Sequence, residues 1–178
     1  MPERTLSSKH AYRGRLISMR IDEVEMESGR HATREVVEHP GAVGILAWDG
    51  RRLAMVSQWR QPANQTLLEI PAGTLDAGEA PETTARRELA EEVGLAARTW
   101  QKGPSFFTAP GFSTERLSLF LATDLRPAEA HADDDEAIES SWLTLDEALA
   151  AIDSGLIIDA KTVAGILWLA GRIGSGLA

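Results

Sequence analysis

The chain has 178 residues, 43% hydrophobic and 25% charged, a size and balance that fit one domain with a sizeable core. Its 27 acidic against 18 basic residues give a net charge of −9, which argues against a general nucleic-acid binder and suits a protein that gathers divalent cations. The absence of cysteine excludes a disulfide framework, a thiolate metal site and a thiol nucleophile. The opening stretch MPERTLSSKHAYRGR has no apolar signal-peptide core, and no later run reaches membrane-spanning length. The expectation is a soluble cytoplasmic protein with no membrane or nucleic-acid partner.

Residues 1–10 read as a loose start. From Gly14 to Met26, Leu16, Val24 and neighbouring apolar residues alternate imperfectly with polar ones, which predicts a strand. Ser28-Gly29 is a turn signal and Thr33 to Val37 a second strand, closed by the break His39-Pro40-Gly41. This predicts an antiparallel N-terminal sheet over 1–40, either packed on the core or used for dimerisation, followed by one globular unit over 41–178. Ala42 to Trp48 is nearly continuously apolar, as for a strand buried on both faces. Asp49-Gly50 then turns the chain into a strand over Leu53 to Arg60, and Leu67 to Ile70 gives a short third one.

The stretch Gly73 to Leu95 reads GTLDAGEAPETTARRELAEEVGL. Pro81 suits the first helical position, Glu82 lies near the positive end of the dipole, and Gly94 is placed just past the end. Ala85, Leu89 and Val93 make one apolar stripe, while Glu88, Glu91 and Glu92, three and four apart, share another face. Like charges at that spacing repel, and Arg87, four before Glu91, offsets only part of the repulsion. A solvated charged face is the ordinary reading of such residues. Hard divalent cations, however, bind through crowded oxygen ligands of this kind, and would relieve the repulsion.

Farther on, Arg98 to Gln101 reads as a strand, Phe106 to Gly111 as a loop, and Leu117 to Asp124 as a better strand. Leu125 to Glu136 is polar and acidic, a loop. Ser140 to Leu143 closes the sheet. Thr144 caps a helix over Leu145 to Asp153 with Gly155 just beyond its end, and Asp159 caps a last helix over Ala160 to Ala170. Val163, Ile166, Leu167 and Ala170 are its expected inward residues.

Gly73, five residues, Glu79, seven residues, Arg87-Glu88-Leu89, one residue, Glu91-Glu92, one residue, Gly94-Leu95 resembles the Nudix box without a departure, nine fixed positions over twenty-three residues. The resemblance implies a Nudix hydrolase: an α/β/α sandwich around a mixed sheet, cleaving a nucleoside diphosphate linked to a further group with Mg²⁺ or Mn²⁺. LLEIPAGTLDAGE, QWRQP, REVVEHPGAVGIL, APGFSTERLSLFLATDL and a proline, Pro110, sixteen residues after Gly94 are similar to the ADP-ribose pyrophosphatase branch. That branch implies hydrolysis of ADP-ribose to AMP and ribose 5-phosphate by a homodimer. The alternatives are another nucleoside-diphosphate sugar or linked diphosphate as substrate, or a non-hydrolysing ligand sensor.

A phosphoanhydride is an anionic electrophile, so its hydrolysis needs cations against its oxygens and an activated water. By resemblance, Glu88, Glu92 and the Ala72 carbonyl are metal ligands. Glu91 either binds metal or holds a metal-bound water, and Arg87 pairs with Glu79 to orient loop and helix. In the acidic segment 131–140, alignment on Ile138 matches Glu136 to a metal ligand and Asp134 to the general base, where the branch commonly carries Glu. Asp135 and Glu139 are alternatives for the base. Arg60 resembles an arginine that reaches the phosphates or distal ribose, and guanidinium geometry suits paired phosphate oxygens. Glu69 is expected on ribose hydroxyls or on Arg60, Arg34 on adenine, and Pro110 as a substrate marker. Trp48 and Trp59 are aromatic candidates whose ordinary place is the core. His31, His39 and His131 lack metal-site spacing.

Overall fold

The structure, a computed structural model, describes residues 3–128 and 138–176. The chain forms two compact units, Met1–Gly41 with Phe106–Arg116, and Ala42–Ser105 with Leu117–Ala178.

The first unit holds three antiparallel strands in the order β1 (Arg4–Arg13), β2 (Ser18–Glu25) and β3 (His31–Glu38). The strand over 4–13 corrects the expected loose start. Its ten residues are all exposed, so it carries no apolar alternation for a sequence reading to detect. Cross-strand polar pairs stitch it instead: Arg4 Nη2 to Glu25 at 2.6 Å, Ser8 to Asp22 at 2.6 Å, His10 to Glu38 at 3.0 Å. Residues 108–115 return beside the end of β3, with Val37 N donating to Phe112 O and Thr114 N to Val37 O.

The second unit is built on two sheets. One has the order β7 (Ala72–Thr74), β4 (Ala42–Ala47), β9 (Arg116–Pro127), β8 (Leu95–Phe107), with β4 antiparallel to β7 and parallel to β9. The other is β10 (Glu139–Thr144), β5 (Arg52–Arg60), β6 (Gln65–Glu69), all antiparallel. Three helices complete it: α1 (Pro81–Val93), α2 (Leu145–Asp153) and α3 (Ala160–Gly174). Every residue of β4 is buried, and the period of two explains how. Val43, Ile45 and Ala47 join Ala85 and Leu89 of α1 in one core cluster. On the other face Leu46 reaches α3, where a Cβ on Gly165 would sit 3.2 Å from its Cδ2. A helix therefore covers each side of a mixed sheet, an α/β/α sandwich. No helix among the described residues is long and apolar enough to cross a membrane.

Three expectations need correction. The strand foreseen at 98–101 runs from Leu95 to Phe107, taking in two residues of the expected 106–111 loop. Lys102-Gly103-Pro104 hides it from a reading by propensity. The proline is tolerated because β8 is an edge strand. Gly103 is required because a Cβ there would meet the Leu119 carbonyl and Trp168 at 3.2 Å. Strand β9 continues to Pro127, past the expected end at 124. In α3 the buried set is Thr162, Gly165, Ile166 and Leu169, whereas Leu167 is 53% exposed. The apolar residues of this helix outnumber its buried positions, and the small Gly165 and polar Thr162 fix the phase that hydrophobicity alone misassigns.

Candidate active site

Helix α1 carries the acidic face. Pro81 opens it at the first turn, and Gly94 closes it at φ 66° with its N–H on Ala90 O, a conformation that favours glycine. Leu89 and Ala85 point into the core at 0% exposure, which turns Glu88, Glu91 and Glu92 toward β7 and the loop before the helix.

Each residue of β7 meets one side chain of that face. Ala72 N donates to Glu92 Oε2 at 2.9 Å. Glu88 lies so close to Gly73 that a Cβ there would fall 1.9 Å from its Oε1. Arg87 Nη2 donates to Thr74 O at 3.5 Å. Arg87 is also the hub of the carboxylates, with Nη1 on Glu88 Oε1 at 2.7 Å and on Glu91 Oε2 at 2.9 Å, and Nη2 on Glu79 Oε2 at 3.3 Å. Burial alone would lower its pKa, but the hydrogen bond to Glu79, the charge of Glu88 and the bond to Glu91 outweigh that and raise it. In turn, the Arg87 hydrogen bond holds Glu79 below the usual carboxylate range against desolvation, helped by Thr84 Oγ1 at 2.9 Å and Asp76 N at 3.4 Å.

The donor set is all hard oxygen: three carboxylates and the Ala72 carbonyl, on one helix face and the adjoining strand. That chemistry fits Mg²⁺ or Mn²⁺ and no soft metal. Among the described residues no three acidic or histidine side chains already converge as a cation cage. Glu88 and Glu91 turn onto Arg87, and Glu92 onto the Ala72 amide. The Gly73 cradle, open only because a Cβ is missing, holds Glu88 at the strand. The residues therefore fit the ion by type, with Arg87 neutralising part of their charge.

Arg60 and Glu69 meet on the other sheet of this unit. Arg60 Nε donates to Glu69 Oε1 at 2.9 Å and Nη2 to Oε2 at 2.7 Å, a bidentate pair on a carboxylate only 1% exposed. The Glu69 hydrogen bond raises the Arg60 pKa despite burial, with the charges of Glu92 and Asp159 adding at longer range. Lys161 of α3 is a second cation on Glu69, and sequence reasoning missed it. It lies two residues after the Asp159 cap, on the first turn of α3, and nothing in the local sequence pairs it with a carboxylate ninety-two residues away. Trp59 is 52% exposed, with Nε1 on Gln61 Oε1 at 2.8 Å.

Arg34 belongs to the first unit, where Nε and Nη2 hold Glu3 at 3.0 and 2.5 Å. Pro110 belongs to the same unit, exposed in a turn closed by Ser113 N on Ala109 O at 2.9 Å. Asp134, Asp135, Glu136 and His131 fall outside the described residues. Glu139 opens β10, exposed and opposite Ser57.

Comparison with known proteins agrees with this geometry. The NUDIX domain model matches residues 38–164, and the nucleoside diphosphate sugar hydrolase N-terminal domain matches residues 3–37. The chain is 41% identical to an ADP-ribose pyrophosphatase of Bacillus subtilis (strain 168), over 95% of this chain and 93% of that one. It is 44% identical to an ADP-ribose pyrophosphatase of Mycobacterium tuberculosis, over 92% and 81%. A methanol dehydrogenase activator of Bacillus methanolicus is 40% identical, over 94% and 92%. A solved structure described as an ADP compounds hydrolase superposes with a TM-score of 0.88 at 21% identity, covering 100% of this chain and 98% of that one, which speaks for the fold. A domain model spanning more than half of the residues, joined to relatives this close along nearly their whole length, settles the family: the chain belongs to the NUDIX-domain proteins.

Proposed function

We propose that this protein hydrolyses the diphosphate of ADP-ribose to AMP and ribose 5-phosphate with a divalent cation, Mg²⁺ or Mn²⁺. The observation that carries the reading is the strand–helix register, in which Ala72, Gly73 and Thr74 meet Glu92, Glu88 and Arg87 in turn. Two ADP-ribose pyrophosphatases at 41% and 44% identity support the substrate. The bound cation would offset negative charge on the diphosphate and make water a better nucleophile.

This chain's own residues do the rest. Glu88, Glu92 and the Ala72 carbonyl would hold the cation, and Glu91 would hold it or a water beside it. Arg87 and Glu79 fix the helix against the loop, so the carboxylates keep their spacing. Arg60, anchored on Glu69, presents a guanidinium to phosphate oxygens, and Glu69 is committed to that support rather than to ribose. The base is assigned to the 131–140 segment, at Asp134, with Glu136 as a further cation ligand. Arg34 and Pro110 are assigned to substrate recognition, on adenine and as the branch marker. The first unit is assigned to homodimerisation. In β1–β3 only Asp22 and Val24 are buried, so the sheet lacks a core of its own and gains one by pairing with a second copy.

A second reading is hydrolysis of another nucleoside-diphosphate sugar, favoured by the N-terminal model over residues 3–37. Product analysis separates the readings. Equal amounts of AMP and ribose 5-phosphate from ADP-ribose, abolished by chelator and by Glu92→Gln, support the first. A different preferred diphosphate, cleaved with the same metal dependence, supports the second.

A further inference from the structure

Glu69 is a buried carboxylate that shares its charge between two elements. Arg60 takes both of its oxygens from the end of β5, and Lys161 Nζ donates to Oε2 from the first turn of α3. Lys161 is itself only 12% exposed, and its second bond, at 3.0 Å, goes to Asp159. Asp159 caps α3, accepting from Thr162 N at 3.0 Å and from Thr162 Oγ1 at 2.6 Å. Thr162 Oγ1 in turn accepts from Ile70 N at 3.0 Å, so α3 grips both Glu69 and the residue after it. Two cations and two carboxylates leave the cluster formally neutral. Among the described residues Arg60 spends Nε and Nη2 on Glu69 and makes no bond through Nη1, while its side chain is 35% exposed. The charge of Glu92, on the box helix, is also felt at Arg60.

We propose that Lys161 is a positioning residue for diphosphate binding: by sharing Glu69 with Arg60, it fixes the carboxylate that aims the open edge of the guanidinium at the substrate. The inference rests on the diphosphate reading above. A buried carboxylate needs opposite charge. With Lys161 present, Glu69 is held by two cations and the four-charge cluster is neutral, so it sets no net repulsion against an anion at the open edge of Arg60. Without Lys161, Arg60 alone must neutralise Glu69, the cluster carries one net negative charge, and a diphosphate arrives at a less favourable field. The consequence falls on binding rather than on the chemical step.

The test compares Lys161→Met, Lys161→Arg, Glu69→Gln and the Glu69→Gln/Lys161→Met pair. KM and kcat are read with ADP-ribose, and Kd for inorganic pyrophosphate is read by calorimetry without metal. Lys161→Met is expected to raise KM and the pyrophosphate Kd about tenfold with kcat within about twofold, and Lys161→Arg to recover most of the loss. In the Glu69→Gln background the same substitution should cost less than about threefold, because the carboxylate that Lys161 shares with Arg60 is gone and only its pair with Asp159 remains. An unchanged KM and Kd in a folded Lys161→Met protein would overturn the proposal. So would an equal loss in kcat, a full tenfold effect persisting beside Glu69→Gln, or no recovery with Lys161→Arg. If the wild type fails to cleave ADP-ribose, the substrate reading falls, while the pyrophosphate titration still decides the role of Lys161.

Discussion

Replacing Gly73 with alanine should silence the site while sparing the fold. The added Cβ would lie 1.9 Å from Glu88 Oε1, 2.0 Å from its Cδ and 2.5 Å from its Cγ, so the whole carboxylate must leave. What it leaves is the 2.7 Å bond from Arg87 Nη1 and its place beside the strand. A charge-assisted hydrogen bond is worth about 1.5–3 kcal/mol. Expressed in a barrier, that is a loss of about 10- to 100-fold in kcat/KM. The stability cost should not exceed the worth of that bond, about 1.5–3 kcal/mol, because the displaced group is the end of a flexible side chain rather than backbone. Gly155→Ala is the control, since φ there is 76° with nothing within 4 Å. It should cost about 1–2 kcal/mol of stability through backbone strain and leave kcat/KM unchanged. Steady-state kinetics and thermal melts read the two quantities. A Gly73→Ala protein that keeps kcat/KM within about threefold of wild type would refute the cradle argument.

Other perturbations separate structure from chemistry. Glu92→Gln keeps an acceptor for the Ala72 amide, so it should melt near the wild type yet lose Mn²⁺ binding and nearly all turnover. Thr162→Val strips the acceptor from Ile70 N, at the 0% exposed Ile70, and should cost about 1–3 kcal/mol in denaturant unfolding. Asp159 feels burial, which would raise its pKa, but Lys161 and the Thr162 bonds prevail and lower it below the ordinary 3.8. Its contribution is therefore present above that value and lost as pH falls through the lower folded pKa. Asp159→Ala should cost about 1–2 kcal/mol near neutral pH, and the gap to wild type should close in acid. A gap independent of pH would contradict the assigned charge interaction.

How legible the protein was depended on where burial and periodicity coincide. The six residues Ala42–Ala47 announce a strand covered on both faces because every position is apolar, and β4 is buried throughout. The box helix carried its own punctuation in Pro81 and Gly94, and α2 carried a Thr144–Glu147 capping box. Strand β1 was illegible for the opposite reason: its cross-strand partners are polar, and polar pairs leave no alternation. The placement of Glu88 beside Gly73 was hidden because a glycine in a motif does not say which side chain uses its space. Lys161 was hidden because its partner, Glu69, is ninety-two residues away. Long-range pairing of buried charges leaves no trace in local sequence.

The most direct test is a comparison of kcat/KM for ADP-ribose, ADP-glucose, GDP-mannose, NADH and diadenosine polyphosphates with Mg²⁺, with Glu92→Gln run in parallel. The account predicts a clear preference for ADP-ribose that disappears in the variant. A preference for another diphosphate would contradict the use made of Pro110 and the branch resemblance. Tight binding of ADP-ribose with no turnover by the wild type would contradict the enzyme itself and leave a ligand sensor.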